Sequence, residues 1–302
     1  MPSDTPIDGV QPPRLFGGER SAIAAAFTDW ENVPCPRCGA EPFPFAVDYQ
    51  GFQLCRCRKC QIQFLNPRPT FSQLGEKVYG EAYFDSKPEP ISEPQMHQFS
   101  HQLASFSRLL GRDRGTLLDV GCGKGEFLRF AMERGWEVAG TDIGLSPVAR
   151  LLPCALEEGT LKTVDFGSRR FDVIRFNHVL EHTQNPVEDL RLARALLNNG
   201  GLIYVSVPNL AGISSWIKNL QSRLHLKSHA WRHYAALHHL WFFTPTALAA
   251  VAESAGLKVL EWETPVLKKP RQSGIAERVY RQLLGKTRLS SILDFYMTPD
   301  SK

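Results

Sequence analysis

The sequence predicts an α/β fold, a doubly wound and mostly parallel sheet behind a small cysteine-bearing front module, and three observations carry that prediction. From Gly115 onward, short apolar runs alternate with helical patterns, as in a parallel sheet covered on both faces. A glycine-rich turn, LLDVGCGKGEFLRF at Leu117–Phe130, joins the first of those runs to the next helical pattern. Ahead of both, CPRC and CRKC stand 18 residues apart, a metal-ligand spacing.

The 302 residues and 43% hydrophobic content suffice for one large domain plus a small module. No run nears the roughly 18 apolar residues of a spanning helix, and MPSDTPIDGVQPP lacks the form of a signal peptide, so a soluble, cytoplasmic protein is expected. The net charge of +4 is too small to announce nucleic acid, but it is local: Lys268–Arg288 carries seven Lys/Arg against the single acid Glu277.

Residues 1–33, rich in Pro, Gly and small side chains, read as a flexible arm with a short helix at Ser21–Phe27. Residues 34–69 form the cysteine module, and 70–110 a linker and helical approach, with the Pro-containing stretch Asp85–Gln95 before a helix at His97–Leu110. Residues 111–265 form the main domain. Its strand candidates are Thr116–Val120, Glu137–Thr141, Phe171–Phe176, Leu202–Val207 and Leu257–Glu261. Ser146-Pro147, Asn185-Pro186 and Thr244-Pro245 each set a capping side chain before a proline at the first helical position, and Gly135, Gly200 and Gly256 stand where helices should stop.

In the cysteine module, Cys35, Cys38, Cys57 and Cys60 match the C-x₂-C…C-x₂-C pattern of a tetrahedral zinc ribbon. Cys55 is the spare, because the knuckle turn needs a two-residue gap. Cys122 and Cys154 read as ordinary buried thiols.

The glycine loop lacks the Lys-Ser/Thr ending of a phosphate-binding P-loop, and it closes one residue too early for a dinucleotide fingerprint. Asp119 just before it repels pyrophosphate but suits a ligand bearing an ammonium or sulfonium charge. WEVAGTD places Asp142 about 20 residues further on, where an acid accepts from both ribose hydroxyls.

These residues, D-x-G-x-G-x-G at Asp119–Gly125 with GTD at Gly140–Asp142, resemble the class I S-adenosylmethionine-dependent methyltransferases, whose fold is Rossmann-like. FDVIRFNHVLEHTQNPVEDL and RALLNNGGLIYVSVPN look like that family's fourth- and fifth-strand motifs, in the same order. The resemblance implies that Asp119, Gly121, Gly123, Gly125, Asp142 and Asn177 bind the cofactor, Asp119 by orienting the loop or the amino group. It also implies adenine contacts from about Gly159–Leu161.

His178, Glu181 and His182 follow the fourth strand, where ligands gather at the carboxyl ends of parallel strands. Their placement resembles the ubiquinone-biosynthesis O-methyltransferases, whose E-x-x-E-H segment holds a divalent cation; here His178 replaces the first acid. Three roles stay open for this catalytic candidate: a general base, a site for a divalent cation, or hydrogen bonds that pin the turn.

Asn209–Phe243 is long for a connection and rich in aromatics and His, which suggests a lid over an acceptor, with Trp231, His233, His238 and His239 as its contacts. Trp241–Phe243 reads instead as core packing. Residues 266–302 form a basic tail that places Ile275, Val279 and Leu283 on one helical face, suited to a membrane surface or an anionic substrate, or to packing with a solvated basic face.

FLNPRP at Phe64–Pro69 with VYGEAYF at Val78–Phe84 looks like a recurrent front module of bacterial methyltransferases acting on sugars and other small metabolites. The expectation is methyl transfer from S-adenosylmethionine to a hydroxyl, less readily a carbon, of a small metabolite such as a sugar or aromatic, with structural zinc in the ribbon. The partner is then a small-molecule acceptor rather than nucleic acid. Alternatives are an RNA methyltransferase that uses the ribbon and basic tail, and a non-catalytic cofactor-binding protein. The oligomeric state is left open.

Overall fold

The computed structural model describes residues 22–79, 90–226, 228–266 and 287–300. The amphipathic stretch Ile275–Lys286 and most of the expected arm lie outside them.

The front of the chain is a short helix α1 (Ala22–Ala25), strands β1 (Trp30–Glu31), β2 (Phe43–Val47), β3 (Gln53–Arg56), β4 (Gln63–Leu65) and β5 (Arg68–Pro69), and helix α2 (Phe71–Lys77). Helix α3 (Glu93–Leu110) begins a turn before the expected His97, because Ser92 and Gln95 cap each other reciprocally at its start.

The main domain follows as β6 (Thr116–Val120), α4 (Glu126–Met132), β7 (Glu137–Asp142), β8 (Ala155–Glu158) and β9 (Phe171–Asn177). Then come α5 (Pro186–Ala195), β10 (Leu197–Pro208), α6 (Ile213–Arg223), β11 (Trp241–Phe242), α7 (Pro245–Ser254), β12 (Leu257–Glu263) and β13 (Ile292–Pro299). Asn185 and Thr244 cap α5 and α7 as expected. Ser146 accepts from the Ala149 amide at 3.1 Å but starts only the 3-10 turn Ala149–Leu151, which ends before Pro153.

Seven strands form the main sheet in the order β12-β13-β10-β9-β6-β7-β8. The pairs from β10 to β8 are parallel, whereas β13 is antiparallel to both of its neighbours. Side chains alternate in destination along each strand. Leu117, Val173 and Tyr204 join the core beneath α3 and α4, while Leu118, Ile174 and Val205 join the core shared with α5 and α7.

Two strands of this main sheet are absent from the sequence expectation, β8 and β13. The second corrects the reading of 266–302 as a tail, because residues 292–299 are inserted between β10 and β12, with Leu293, Phe295, Tyr296 and Met297 buried.

The cysteine module is not a separate bead. Its sheet runs β11-β4-β3-β2, so Trp241–Phe242 of the main domain completes it by pairing with Gln63–Phe64. Trp241, Phe242 and Phe243 are buried in one core with Phe52, Leu54 and Phe64, in keeping with the packing role expected of them. Among the described residues no helix is long and apolar enough to cross a membrane.

Candidate active site

The carboxyl ends of β6, β7 and β9 open onto one cavity of about 640 Å³. The glycine loop enters it directly after Val120. Gly121 (φ 72°) takes a left-handed conformation, and a Cβ there would stand 2.3 Å from Val179 Cγ2, so this turn admits no side chain. A Cβ on Gly123 (φ 55°) would meet nothing within 4 Å, because that residue borders the open cavity. Backbone can therefore approach a ligand closely there.

Asp142, at the end of β7, accepts from the Gly123 amide at 2.8 Å, which ties acid and loop into one wall. Burial raises its carboxyl, while the amides of Gly123, Ile143 and Gly144 hold it down. Asn177, His178 and His182 line the same cavity, as do Gly159, Thr160 and Leu161 beyond β8.

Asp119 and Gly125 do not line it. Gly125 heads α4, where an added Cβ would stand 2.4 Å from Leu152. Asp119 points into the domain and receives Arg175 Nη1 at 2.7 Å, and burial pushes its carboxyl up to about 6 against the pull of that guanidinium. Arg175 also donates to Gln102, and Gln102 donates to Asn177 Oδ1 at 3.1 Å. The acid thus reaches the cavity only through a chain of side chains.

Glu181 is buried, and among the described residues neither of its carboxylate oxygens has a hydrogen-bond partner within bonding geometry. His178 Nδ1 lies 3.4 Å and His182 Nε2 3.9 Å from its Oε1. Burial alone would raise this carboxyl, but the surrounding imidazoles His178, His182 and His239 outweigh it and hold it below its ordinary value.

The ligand atoms of Glu181, His182 and His239 lie within 4.8 Å of one another. His239 comes from the connection expected to form a lid, 57 residues beyond His182, and burial lowers it to about 4, so it is neutral near pH 7. His182 Nδ1 stands 2.6 Å from the His238 carbonyl, which can only accept, so Nδ1 carries the proton. Nε2 is then the nitrogen turned toward the Glu181 carboxylate, and a proton or a cation belongs between the two.

Of the other lid residues, Trp231 packs against Phe45 and Tyr234, and His233 pairs with Asn219 at 2.8 Å; neither lines the cavity. Tyr79 and Ile143 are among the lining residues that sequence reading passed over. Tyr79 places its hydroxyl 3.2 Å from His182 Nδ1 and 3.3 Å from the His238 carbonyl, to which it donates. Ile143 stands beside Asp142, and its sequence signal is an apolar residue directly after the acid that ends β7.

In the front module the sulfurs of Cys35, Cys38, Cys57 and Cys60 all lie within 4.8 Å of one another, with Cys38 and Cys57 3.6 Å apart. Four thiolates ~2.3 Å from a tetrahedral zinc sit roughly 3.8 Å apart, so the set fits that ion. The two knuckles are built alike. Gly39 and Gln61, one residue past each CxxC, are both left-handed and donate back to the Cys35 and Cys57 carbonyls at 2.9 Å. Cys55 turns away and donates to the Asn66 carbonyl.

This sheet order, with a glycine loop after the first strand and an acid after the second, is that of a class I S-adenosylmethionine-dependent methyltransferase. A family model described as a methyltransferase domain matches residues 95–261, more than half of the chain, and the chain belongs to that family.

Among curated relatives, the ubiquinone biosynthesis O-methyltransferase of Aeromonas salmonicida (strain A449) is 27% identical over 161 residues, covering 47% of this chain and 63% of its own length. That of Ruegeria pomeroyi (strain ATCC 700808 / DSM 15171 / DSS-3) is 29% identical over 194 residues, or 58% and 75%. The chain thus spans less than two thirds of the first of these relatives.

The crystal structure of Burkholderia thailandensis 1,6-didemethyltoxoflavin-N1-methyltransferase, with bound 1,6-didemethyltoxoflavin and S-adenosylhomocysteine, superposes with a TM-score of 0.54 at 17% identity. It covers 85% of this chain and 99% of that one. That likeness is one of fold.

Proposed function

We propose that the protein transfers the methyl group of S-adenosylmethionine to a hydroxyl, rather than a carbon, of a small metabolite such as a sugar or an aromatic. One observation carries the hydroxyl assignment: a buried carboxylate with no hydrogen-bond partner among the described residues, Glu181, backs two histidines that line the same cavity as Asp142 and the glycine loop. A hydroxyl acceptor needs a proton removed, and this cluster is built to hold one.

When bound, S-adenosylmethionine supplies a sulfonium-activated methyl group. Asp142 holds the ribose, the loop at Gly121 and Gly123 closes around the methionine part, and Asn177 flanks it. Ile143 and Gly159–Leu161 enclose the adenine. Asp119 acts as a positioning residue through Arg175 and Gln102, and Gly125 through the start of α4. His178 takes the acceptor's proton, with its Nδ1 side turned to Glu181 so that Nε2 is its basic atom. Zinc on Cys35, Cys38, Cys57 and Cys60 is structural.

A second reading is favoured by the closeness of His182 Nε2 and His239 to Glu181: a divalent cation held by Glu181, His182 and His239, whose mixed nitrogen and oxygen donors suit a transition metal.

The deciding experiment incubates the purified protein and S-adenosylmethionine with a metabolite extract and searches for products heavier by one methyl group. A methylated hydroxyl product is expected. Binding of the cofactor without any such product would favour a non-catalytic role, and transfer to RNA alone would overturn the small-metabolite assignment.

A further inference from the structure

Helix α6 is built inside out. Its polar residues Ser215, Asn219 and Ser222, spaced to share one face, turn toward the protein. Ser215 donates to the Asn209 carbonyl at 3.0 Å, Asn219 pairs with His233, and Ser222 is buried and accepts from the Trp231 amide at 2.9 Å. The opposite face carries Trp216, Ile217, Leu220 and, one turn on, Leu224, all exposed, with Trp216 at 62%. Leu226 at 69% extends the stripe beyond the helix, and Leu289, whose carbonyl accepts from the Ile213 amide at 3.0 Å, extends it at the other end.

A soluble helix ordinarily packs its apolar side inward. Here the polar side is anchored and the apolar side faces outward, so the exposed stripe is held in place by specific hydrogen bonds.

Charge selects the partner. From Leu190 to Ala252 the sequence has no Asp or Glu, whereas Lys218, Arg223, Lys227 and Arg232 fall on or just after the helix. An apolar stripe with tryptophan, whose charged neighbours along the chain are all cations, matches an anionic bilayer surface: the rings and aliphatic chains enter the headgroup boundary and the cations stay among phosphates. We propose that α6 docks the protein on anionic lipid membranes, lying in the interface plane rather than crossing it. The helix follows the carboxyl end of β10, so the docked face lies at the end of the sheet where the cavity opens.

Flotation of the full chain with vesicles tests this, using phosphatidylcholine alone and phosphatidylcholine with phosphatidylglycerol. The wild type is expected to float with the anionic vesicles only, and less as salt rises. Trp216→Ser with Leu220→Glu should raise the lipid needed for half-binding by roughly tenfold or more at an unchanged melting temperature, and Arg223→Glu alone should also raise it. Four results of flotation and sedimentation would each overturn the proposal: no flotation with anionic vesicles, equal flotation of the double variant, equal binding to neutral vesicles, or a wild-type dimer by sedimentation that the double variant dissolves. The last would give the face to a second copy of the chain. A lower melting temperature in the double variant would give it to this chain's own residues, and would overturn the proposal equally.

Discussion

Arg175 donates to Asp119 from the adjoining strand at 2.7 Å, and both side chains are almost fully buried. The guanidinium also lies over the Phe127 ring at 3.8 Å, so it is enclosed on every side by groups that need its charge or its plane. Removing one member of a buried pair strands the other, at a cost of about 3–5 kcal/mol. Asp119→Ala is therefore expected to lower unfolding stability by an amount of this order in denaturant titration. A loss below about 1 kcal/mol would show that the pair does not hold the loop's strand.

Asp142→Ala should act on binding and leave the fold intact. Loss of a charge-assisted ribose contact predicts weakening of S-adenosylhomocysteine binding by about 1.5–3 kcal/mol in calorimetric titration. Unchanged affinity would remove Asp142 from the site, and no binding by the wild type would sink the cofactor assignment.

One zinc per chain is expected by elemental analysis, lost in Cys35→Ser and Cys60→Ser and retained in Cys55→Ser. Equal loss in Cys55→Ser would mean that the ligand set is wrong.

The histidine cluster separates its roles by variant. A base at His178 predicts a fall in turnover of roughly 10²-fold or more in His178→Ala, with cofactor affinity nearly unchanged and no effect of chelator. A cation predicts loss on chelation, recovery with a divalent metal, and His239→Ala and Glu181→Gln as damaging as His182→Ala. Near-wild-type turnover in all four variants would leave the cluster structural.

Buried Asp294, on β13, accepts from Ser206 at 2.6 Å, and burial pushes its carboxyl up to about 6 from an ordinary 3.8. A carboxyl raised on folding favours the native state when protonated. Its contribution is fully present below about 3.8 and is lost as pH rises through 6. Relative to the wild type, Asp294→Asn should therefore gain stability from pH 4 to pH 7, on the order of 1–3 kcal/mol, in melts at both pH values. A difference independent of pH would show that Asp294 ionises as it would in water.

The core strands β6, β7, β9, β10 and β12 were legible because each is an apolar run bounded by glycine, proline or a cap. Strand β8 reads ALEE, an edge strand with two exposed acids and no apolar run to announce it. Strand β13 is apolar enough, but its place is fixed by pairing with β10, some 90 residues back, which no local pattern encodes. The site divides in the same way. Asp142 and the HVLEH residues stand at strand ends that their own motifs mark, whereas His239 reaches Glu181 because the Leu240 amide donates to the Glu181 carbonyl at 2.8 Å. Asp119 looked like a ligand residue from its motif, and only the register of β6 against β9 reveals Arg175 as its partner.

The place of β13 also bears on the order in which a growing chain can complete itself. On a ribosome the residues of β10 emerge long before those of β13, so the outer edge of a 12-residue, largely buried strand stays unpaired in the interval. Strand β12 emerges during that wait, yet in the finished sheet it touches β13 and not β10. The nascent protein therefore carries a sticky edge and a waiting strand until residues 292–299 have been made, an interval in which an unpaired edge invites aggregation.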